Sequence, residues 1–338
     1  AQPELAYWQN VSWSAGRLPV DDFDAINEAG ATRTVTTWLD ADDTLALLQD
    51  VPAVYHTQIN DVLLTALVDA FAEWTGHRTL LVALEGHGRE DLFEGVDLSR
   101  TVGWFTSLFP VLLDVSAALD PGSALKSVKE QLRTVPHRGV GYGILRWLGR
   151  NDSLPTPEPE LSFNYLGRVD GEGELPFRLA AEDLGALHGA ANRRPHLIDI
   201  SASVVDGRLL VQWFHAARHA PATIAALAER YVASLRGLIA HCRASGGGFT
   251  PSDVPLIKAG QDELDNLIGA VGGAREVEDI YPLSGLQQGL LFHSLYAPQS
   301  AVYVVSVTCR LGGPLDVAAF RRAWQHVVER HAVLRTAF

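Results

Sequence analysis

The chain has 338 residues, of which 47% are hydrophobic, and its formal net charge is −13. This apolar fraction supports packed cores and excludes an intrinsically disordered chain. The charge is acidic and scattered, whereas a nucleic-acid-binding surface needs a basic stripe, so nucleic acid is not an expected partner. The sequence also lacks a P-loop, a GxGxxG after a strand and a GxSxG elbow, which argues against ATP, dinucleotide and hydrolase chemistry.

The two cysteines, Cys242 and Cys309, have no metal-binding spacing. We therefore expect neither a disulfide scaffold nor a zinc site, and a cytoplasmic location. His215 and His219 are four residues apart, but they fall at a strand end and a turn, so no metal is expected there either. Neither a bilayer-spanning run nor a signal peptide is present in the sequence, and no membrane is expected as a partner.

Predicted strands and helices alternate along the chain after an irregular beginning over residues 1–30. This order is typical of an α/β or α+β class with mixed sheets. Alternating or continuous apolar runs predict strands over Thr32–Leu39, Arg78–Leu84, Ser107–Val115, Leu161–Tyr165, Leu197–Val205 and Arg208–His215. Helical spacing predicts helices over Asp42–Leu48, Asn60–Trp74, Gly122–Thr134 and Ala222–Arg243. Asn60 or Asp61 is the predicted N-cap of the second helix, and Asp206-Gly207 predicts a hairpin between the last two strands.

Composition changes at Ser245–Thr250, which reads SGGGFT and predicts a domain boundary. We predict a first domain over residues 1–245, a linker over 246–276 with a short helix, and a second domain over 277–338. The second domain is expected to contain a helix, a strand and another helix, with a further strand beginning at the end of the sequence. These elements are predicted over Ser284–Leu295, Val302–Leu311 and Asp316–Glu329.

Five short motifs follow one another within residues 1–245: YHTQIND (55–61), EGHGRE (85–90), TVGWFT (101–106), RGVGYG (138–143) and FNYLG (163–167). In this order they resemble the motifs of epimerization domains from non-ribosomal peptide synthetases. The resemblance implies the chloramphenicol-acetyltransferase-like α/β fold of the condensation-domain superfamily, mainly its C-terminal lobe. Gly103, Gly139, Gly141 and Gly143 in these motifs suggest tight turns or close backbone approach.

Two later segments, YPLSGLQQG (281–289) and RHAVLRTAF (330–338), resemble the first two motifs of a condensation domain. Within them, Arg335 and His331 are the predicted condensation-motif residues, Arg335 resembling an arginine that supports the catalytic aspartate of that family. The His-His-x-x-x-Asp-Gly motif of the family is absent from the sequence. We therefore expect this chain, taken alone, to be inactive or nearly so.

The epimerization resemblance implies an amino-acid epimerase that interconverts the L and D forms of an aminoacyl or peptidyl group. The group would be held as a thioester on the 4'-phosphopantetheine of a peptidyl carrier protein, with neighbouring synthetase domains as further partners and no directly bound cofactor. The reaction needs a base, an acid on the opposite face of Cα, and stabilisation of the enolate-like oxygen.

By this resemblance Glu85 is the catalytic carboxylate, and Tyr165 and Asn164 are catalytic residues that donate a proton or hold the carbonyl oxygen. Composition alone leaves a solvated glutamate and a core tyrosine as alternatives. Arg89 would pair with Glu85 or orient the phosphopantetheine, or form only a surface ion pair. His87 would have a supporting role between Glu85 and Arg89. Trp104 would line the pantetheine channel or fill the core.

The sequence leaves two other functions open. One is a condensation-type domain that forms peptide bonds, against which the EGHGRE and FNYLG segments argue for residues 1–245. The other is a non-catalytic platform that docks carrier proteins.

Overall fold

The computed structural model describes residues 1–149, 152–169, 185, 188–299 and 305–336, which form two compact units, 1–279 and 280–338. The strands of the first unit are β1 (Arg33–Leu39), β2 (Thr79–Gly86), β3 (Ser107–Asp114), β4 (Leu161–Arg168), β5 (Ile198–Val205) and β6 (Arg208–His215). Its α-helices are α1 (Leu5–Asn10), α2 (Ala41–Tyr55), α3 (Ile59–Thr75), α4 (Pro121–Thr134), α5 (Val140–Gly143), α6 (Pro221–Ala244) and α7 (Gln261–Ala270).

The strands form one mixed sheet in the order β1-β6-β5-β4-β2-β3. The β2–β4 and β4–β5 pairs are parallel, and the β1–β6, β5–β6 and β2–β3 pairs are antiparallel. The predicted hairpin is confirmed, because β5 and β6 are joined by Asp206 and Gly207, both with positive φ (48° and 72°). Positive φ at both turn residues matches the right-handed twist of the two strands. The expected mixed α/β class is therefore also confirmed.

One face of the sheet packs against the long helices α2, α3 and α6. Aromatic rings fill this interface: Phe71 stacks on Trp213 at 6.2 Å, and Trp213 meets Tyr231 edge-on at 5.7 Å. Residues of each strand alternate between this core and the opposite face, which we call the second face. The second face carries the candidate functional site.

Two predictions for the beginning of the chain are wrong. Residues 1–30 are not wholly irregular, because α1 forms there and buries Trp8. Helix α3 is capped by Gln58 rather than by Asn60 or Asp61. Asp61 instead lies in the first turn, where its carboxylate accepts a hydrogen bond from the Gln58 backbone N–H at 2.6 Å. This reciprocal capping box satisfies helix-end groups that a single cap would leave unpaired.

The predicted linker, residues 246–276, lies within the first compact unit. Asp253 binds the buried ammonium of Lys129 through both carboxylate oxygens, each at 2.6 Å from Nζ. Phe249 is buried, and helix α7 buries Leu264 and Ile268. This segment is therefore packed against the first unit, and the boundary at residue 245 stays a prediction.

The second unit contains helices α8 (Gly285–Tyr296) and α9 (Val317–Arg330) and a 3₁₀ turn, Ala332–Arg335. Ser284 and Asp316 cap the helices, each accepting from a backbone N–H three residues on. The predicted strand is wrong for 305–311, which pair with no strand in the described part of the chain, and 302–304 lie outside it. The further strand predicted at the end is also wrong where described, since the 3₁₀ turn occupies 332–335. A strand needs a partner backbone to satisfy its hydrogen-bonding groups.

Candidate functional site

Glu85 and Asn164 meet on the second face of the sheet, near the carboxyl ends of β2 and β4. These strands run parallel with Leu84 opposite Phe163, both buried on the helix side. The next residue on each strand points to the second face, where Asn164 Nδ2 donates a hydrogen bond to Glu85 Oε2 at 2.7 Å. Glu85 is exposed and Asn164 is half-buried, so a substrate can reach the pair.

Tyr165 lies on the other face of β4 and packs against the hydrophobic core. Burial raises the pKa of its phenol, and the positive charge of Arg168 only partly offsets this effect. The structure therefore does not bring Tyr165 together with Glu85 and Asn164. The catalytic role of Tyr165 stays a prediction.

Arg89 organises the loop formed by residues 87–106, which connects β2 to β3. Its Nη1 donates to the carbonyl oxygen of Leu98 at 2.6 Å and its Nη2 to that of Gly103 at 3.3 Å. The guanidinium also lies over the Phe105 ring, 4.5 Å from the centroid. Arg89 is thus engaged by this loop rather than by Glu85.

His87 belongs to the same network as Arg89. Its Nδ1 accepts a hydrogen bond from the Arg89 backbone N–H at 3.0 Å, and its Nε2 lies 3.2 Å from a Glu90 carboxylate oxygen. Trp104, at the far end of the loop, is 92% exposed. The alternative that Trp104 fills the core is therefore wrong, and its indole is available to a partner.

Two glycines of the motifs permit close backbone approach. A Cβ on Gly88, whose φ is +66°, would overlap the Phe105 carbonyl oxygen. A Cβ on Gly139, whose φ is +81°, would overlap the Phe109 ring. Only glycine tolerates this combination of positive φ and contact. The first contact joins the two ends of the 87–106 loop, two residues beyond the end of β2.

A cavity of about 1100 Å³, which sequence reasoning missed, opens on the second face of the sheet. Glu85 and Asn164 do not line it, but Leu108, the β3 partner of Glu85, does. Its sheet wall comes from second-face residues of β2 and β3: Leu81, Ala83, Leu108 and Pro110. Its polar walls come from distant segments of the chain and include Arg17, Arg146, Arg193, Arg194, Arg218, Glu28, Glu158 and Glu160. These segments are far apart in the sequence, and no local sequence pattern indicates that they come together to line one cavity.

His215 and His219, which are four residues apart in the sequence, both lie inside the fold. His219 Nε2 lies 2.9 Å from the Pro19 carbonyl oxygen, and both His215 and His219 are buried. Burial lowers the pKa of both imidazoles. Within the described residues, no group of three or more His, Cys, Asp or Glu side chains could hold a metal ion.

The condensation-motif residues lie at the end of the second unit. The His331 backbone N–H donates to the Val327 carbonyl oxygen and ends α9, and Arg335 lies in the following 3₁₀ turn. None of the described helices is both long enough and apolar enough to span a membrane.

Comparison with known proteins adds family information to this geometry. The model of the family described as "Condensation domain" matches residues 1–248 and 277–338. The chain is 45% identical over 348 residues to a linear gramicidin synthase of Brevibacillus parabrevis, covering 100% of this chain and 4% of that protein. It is 39% identical over 383 residues to a chondramide synthase of Chondromyces crocatus, covering 100% of this chain and 10% of that protein. The chain thus spans only a small part of the length of these relatives.

Solved structures agree with this assignment of the fold. An epimerization domain from the third module of tyrocidine synthetase B matches with a TM-score of 0.66 and 39% identity over 72% of this chain and 56% of that one. A condensation domain from the Monacolin K polyketide synthase matches with a TM-score of 0.50 and 16% identity over 72% of this chain and 57% of that one, a likeness of fold alone. The expected condensation-superfamily fold is therefore confirmed.

Proposed function

The chain belongs to the condensation-domain family of non-ribosomal peptide synthetases, and from that premise we propose that residues 1–245 epimerize a carrier-bound thioester. The substrate would be an aminoacyl or peptidyl group on the 4'-phosphopantetheine of a peptidyl carrier protein. The reaction would remove the Cα proton and return one to the opposite face, feeding a downstream condensation domain.

One observation carries this proposal: the hydrogen bond from Asn164 Nδ2 to Glu85 Oε2 on an accessible part of the second face. The amide fixes one carboxylate oxygen and leaves the other to exchange a proton with Cα. A positioned carboxylate of this kind typically contributes about 10²- to 10⁴-fold to a proton transfer. We therefore assign the acid–base role to Glu85 and a positioning role to Asn164.

The proton on the opposite face of Cα needs a second acid–base group. The sequence offers Tyr165 as a candidate, but its side chain lies on the core side of β4. We expect the His-His-x-x-x-Asp-Gly motif of the family to supply this group, and the present sequence does not contain it. The chain alone is accordingly expected to exchange the proton slowly or not at all.

The loop 87–106 is proposed to meet the phosphopantetheine arm. Support comes from Trp104, which is 92% exposed, and from Arg89, which orders the loop around it. His87 helps to hold the same loop. No part of this assignment requires a directly bound cofactor.

A condensation-type reaction is also compatible with the family, as is a platform that docks carrier proteins. Epimerization is favoured because the Glu85–Asn164 contact joins the EGHGRE and FNYLG segments, and because the match to an epimerization domain reaches 39% identity. A docking platform would not need the carboxylate of Glu85.

The test follows deuterium loss from an α-deuterated aminoacyl thioester on a carrier protein by mass spectrometry. This chain is compared with the same chain extended upstream to include the His motif. We expect washout in the extended protein, its loss in Glu85→Gln, and no change in Glu94→Gln, an exposed loop glutamate. Tyr165→Phe in the extended protein tests the remaining role of the phenol. Carrier binding without washout in either protein would favour the platform instead.

A further inference from the structure

The glycine-rich segment that follows helix α6 is fastened to the end of α2, where the YHTQIND motif begins. Gly247 has a φ of +81°, and a Cβ added there would overlap the Val54 carbonyl oxygen. The same oxygen accepts a hydrogen bond from the Gly248 backbone N–H at 3.1 Å. The Phe249 ring packs against the His56 ring, with their centroids 4.6 Å apart. Such a composition is typical of a flexible linker, but here the glycines permit close backbone contact.

Helix α4 is held by this segment at a buried lysine. We call residues 245–253 the strap, because Asp253 at its end binds the Lys129 ammonium through both carboxylate oxygens. Lys129 Nζ also donates to the Tyr55 carbonyl oxygen at 2.9 Å, at the end of α2. One ammonium therefore joins three parts of the chain. Release of the strap would leave this charge buried with only a neutral acceptor, which is costly in free energy.

The carboxyl end of α4 leads into a strained turn. One helical turn beyond the buried lysine, Arg133 binds both carboxylate oxygens of Asp61 in the YHTQIND motif. His137, Arg138 and Gly139 then have φ values of 43°, 48° and 81°, so three successive residues lie in the left-handed region. Residues other than glycine seldom adopt this conformation, and two in succession persist only where the surrounding structure holds them.

This turn contacts the strand that carries Glu85. A Cβ built on Gly86, the next residue of β2, would lie 3.3 Å from the Arg138 carbonyl oxygen. The Arg138 guanidinium Nε lies 3.6 Å from a carboxylate oxygen of Glu90, in the EGHGRE segment. Relaxation of the turn would therefore shift groups that lie against the end of β2.

We propose that the strap controls the candidate site through α4. While the strap is fastened at Lys129, α4 holds the turn at residues 137–139 in its strained conformation. When the strap is released, the turn relaxes and the end of β2 moves, which gives the coupling a two-state element. Because the strap leads toward the second unit, this device links the connection between the two units to proton exchange at Glu85. The link to proton exchange rests on the proposed function, whereas the link from strap to turn does not.

The test measures amide hydrogen exchange of the whole chain by mass spectrometry in Gly247→Ala and in Asp253→Asn. The first substitution displaces the strap from the end of α2, and the second keeps the side-chain shape but removes the charge. We expect about tenfold faster exchange in the strap and in residues 136–143, as the loss of one charged hydrogen bond would give. Gly207→Ala is the matched control, with a similar φ of +72° and no atom within 4 Å of the added Cβ. It should change the exchange of neither segment.

Three results would overturn the proposal. One is faster exchange of the strap with unchanged exchange of residues 136–143. Another is unchanged exchange of the strap in both variants, which would show that these contacts do not fasten it. The third is faster exchange spread evenly over α3 and β5 as well, because the strap would then only stabilise the whole first unit.

Deuterium washout in the upstream-extended protein tests the link to the site. Both strap variants should slow washout by about tenfold, because a displaced general base spends little time in its productive geometry. Gly207→Ala should leave washout unchanged. A loosened turn with wild-type washout would refute the link to the site. Wild type without Glu85-dependent washout would refute only the proposed function, and exchange of residues 136–143 would still decide whether the strap holds the turn.

Discussion

Asn164 and Glu85 are 79 residues apart in the chain, yet the Asn164 side-chain amide holds one oxygen of the Glu85 carboxylate at 2.7 Å. The contact exists because β2 and β4 are parallel neighbours in register. The hydrogen bond from this neutral donor fixes the direction of one carboxylate oxygen of Glu85.

Replacing Asn164 with Ala in the upstream-extended protein should slow deuterium washout by about 10- to 100-fold, because Glu85 loses the donor that orients it. Asn164→Asp should slow it further, since two carboxylates would then face each other. Asn60→Ala, an exposed asparagine in the first turn of α3, is the control. The positioning role is refuted by full activity in Asn164→Ala.

Gly88→Ala should displace the 87–106 loop, because the new Cβ would overlap the Phe105 carbonyl oxygen. Gly95→Ala is a matched control in the same loop, with a similar φ of +77° but no atom within 4 Å of the added Cβ. Left-handed backbone strain of about 1–2 kcal/mol is common to both. We expect faster hydrogen exchange of the loop and at least tenfold slower washout only in Gly88→Ala. Equal effects of the two substitutions would show that strain, not contact, controls the loop.

Asp253→Ala should lower the free energy of unfolding by about 3–5 kcal/mol, because it leaves the Lys129 ammonium buried with its ion partner lost. Lys129→Met in the same background should restore much of that loss. Lys126→Met removes a more exposed pair with Asp265 and should cost less than about 1 kcal/mol. Urea unfolding measures all three. A small effect of Asp253→Ala would mean that residues 246–276 are not fastened by this ion pair.

Stability should fall as the pH is lowered from about 7.5 to 5.5. Burial lowers the pKa of His215 and His219 below the unfolded value of about 6.5, although Asp21 and the Pro19 carbonyl act in the opposite direction on His219. The unfolded chain then binds more protons in this range, so acid favours unfolding. Urea unfolding at the two pH values should show a smaller drop in His219→Gln than in wild type. His77→Gln, at an exposed position, should leave the drop unchanged.

Much of the first unit is predictable because its elements are local and strongly patterned. Strand β6 and helix α6, for example, agree with their predicted bounds to within two residues. The errors arise where a longer-range partner decides the outcome. Asp61 is a plausible cap by sequence, but its carboxylate also binds Arg133 through both oxygens. The alternating residues 305–311 form no strand in the described part of the chain, because alternation alone supplies no pairing partner.

The candidate site likewise contains features that local sequence predicts and features that depend on long-range packing. The β5–β6 hairpin can be predicted from sequence alone, because the two-residue Asp206-Gly207 turn sets the register of the two strands that it joins. The position of β2 beside β4, which brings Asn164 to Glu85, follows instead from the packing of the whole sheet. Turn geometry acts between residues adjacent in sequence. The order of strands in a sheet depends on burying one apolar face against helices from distant parts of the chain, which no local pattern encodes.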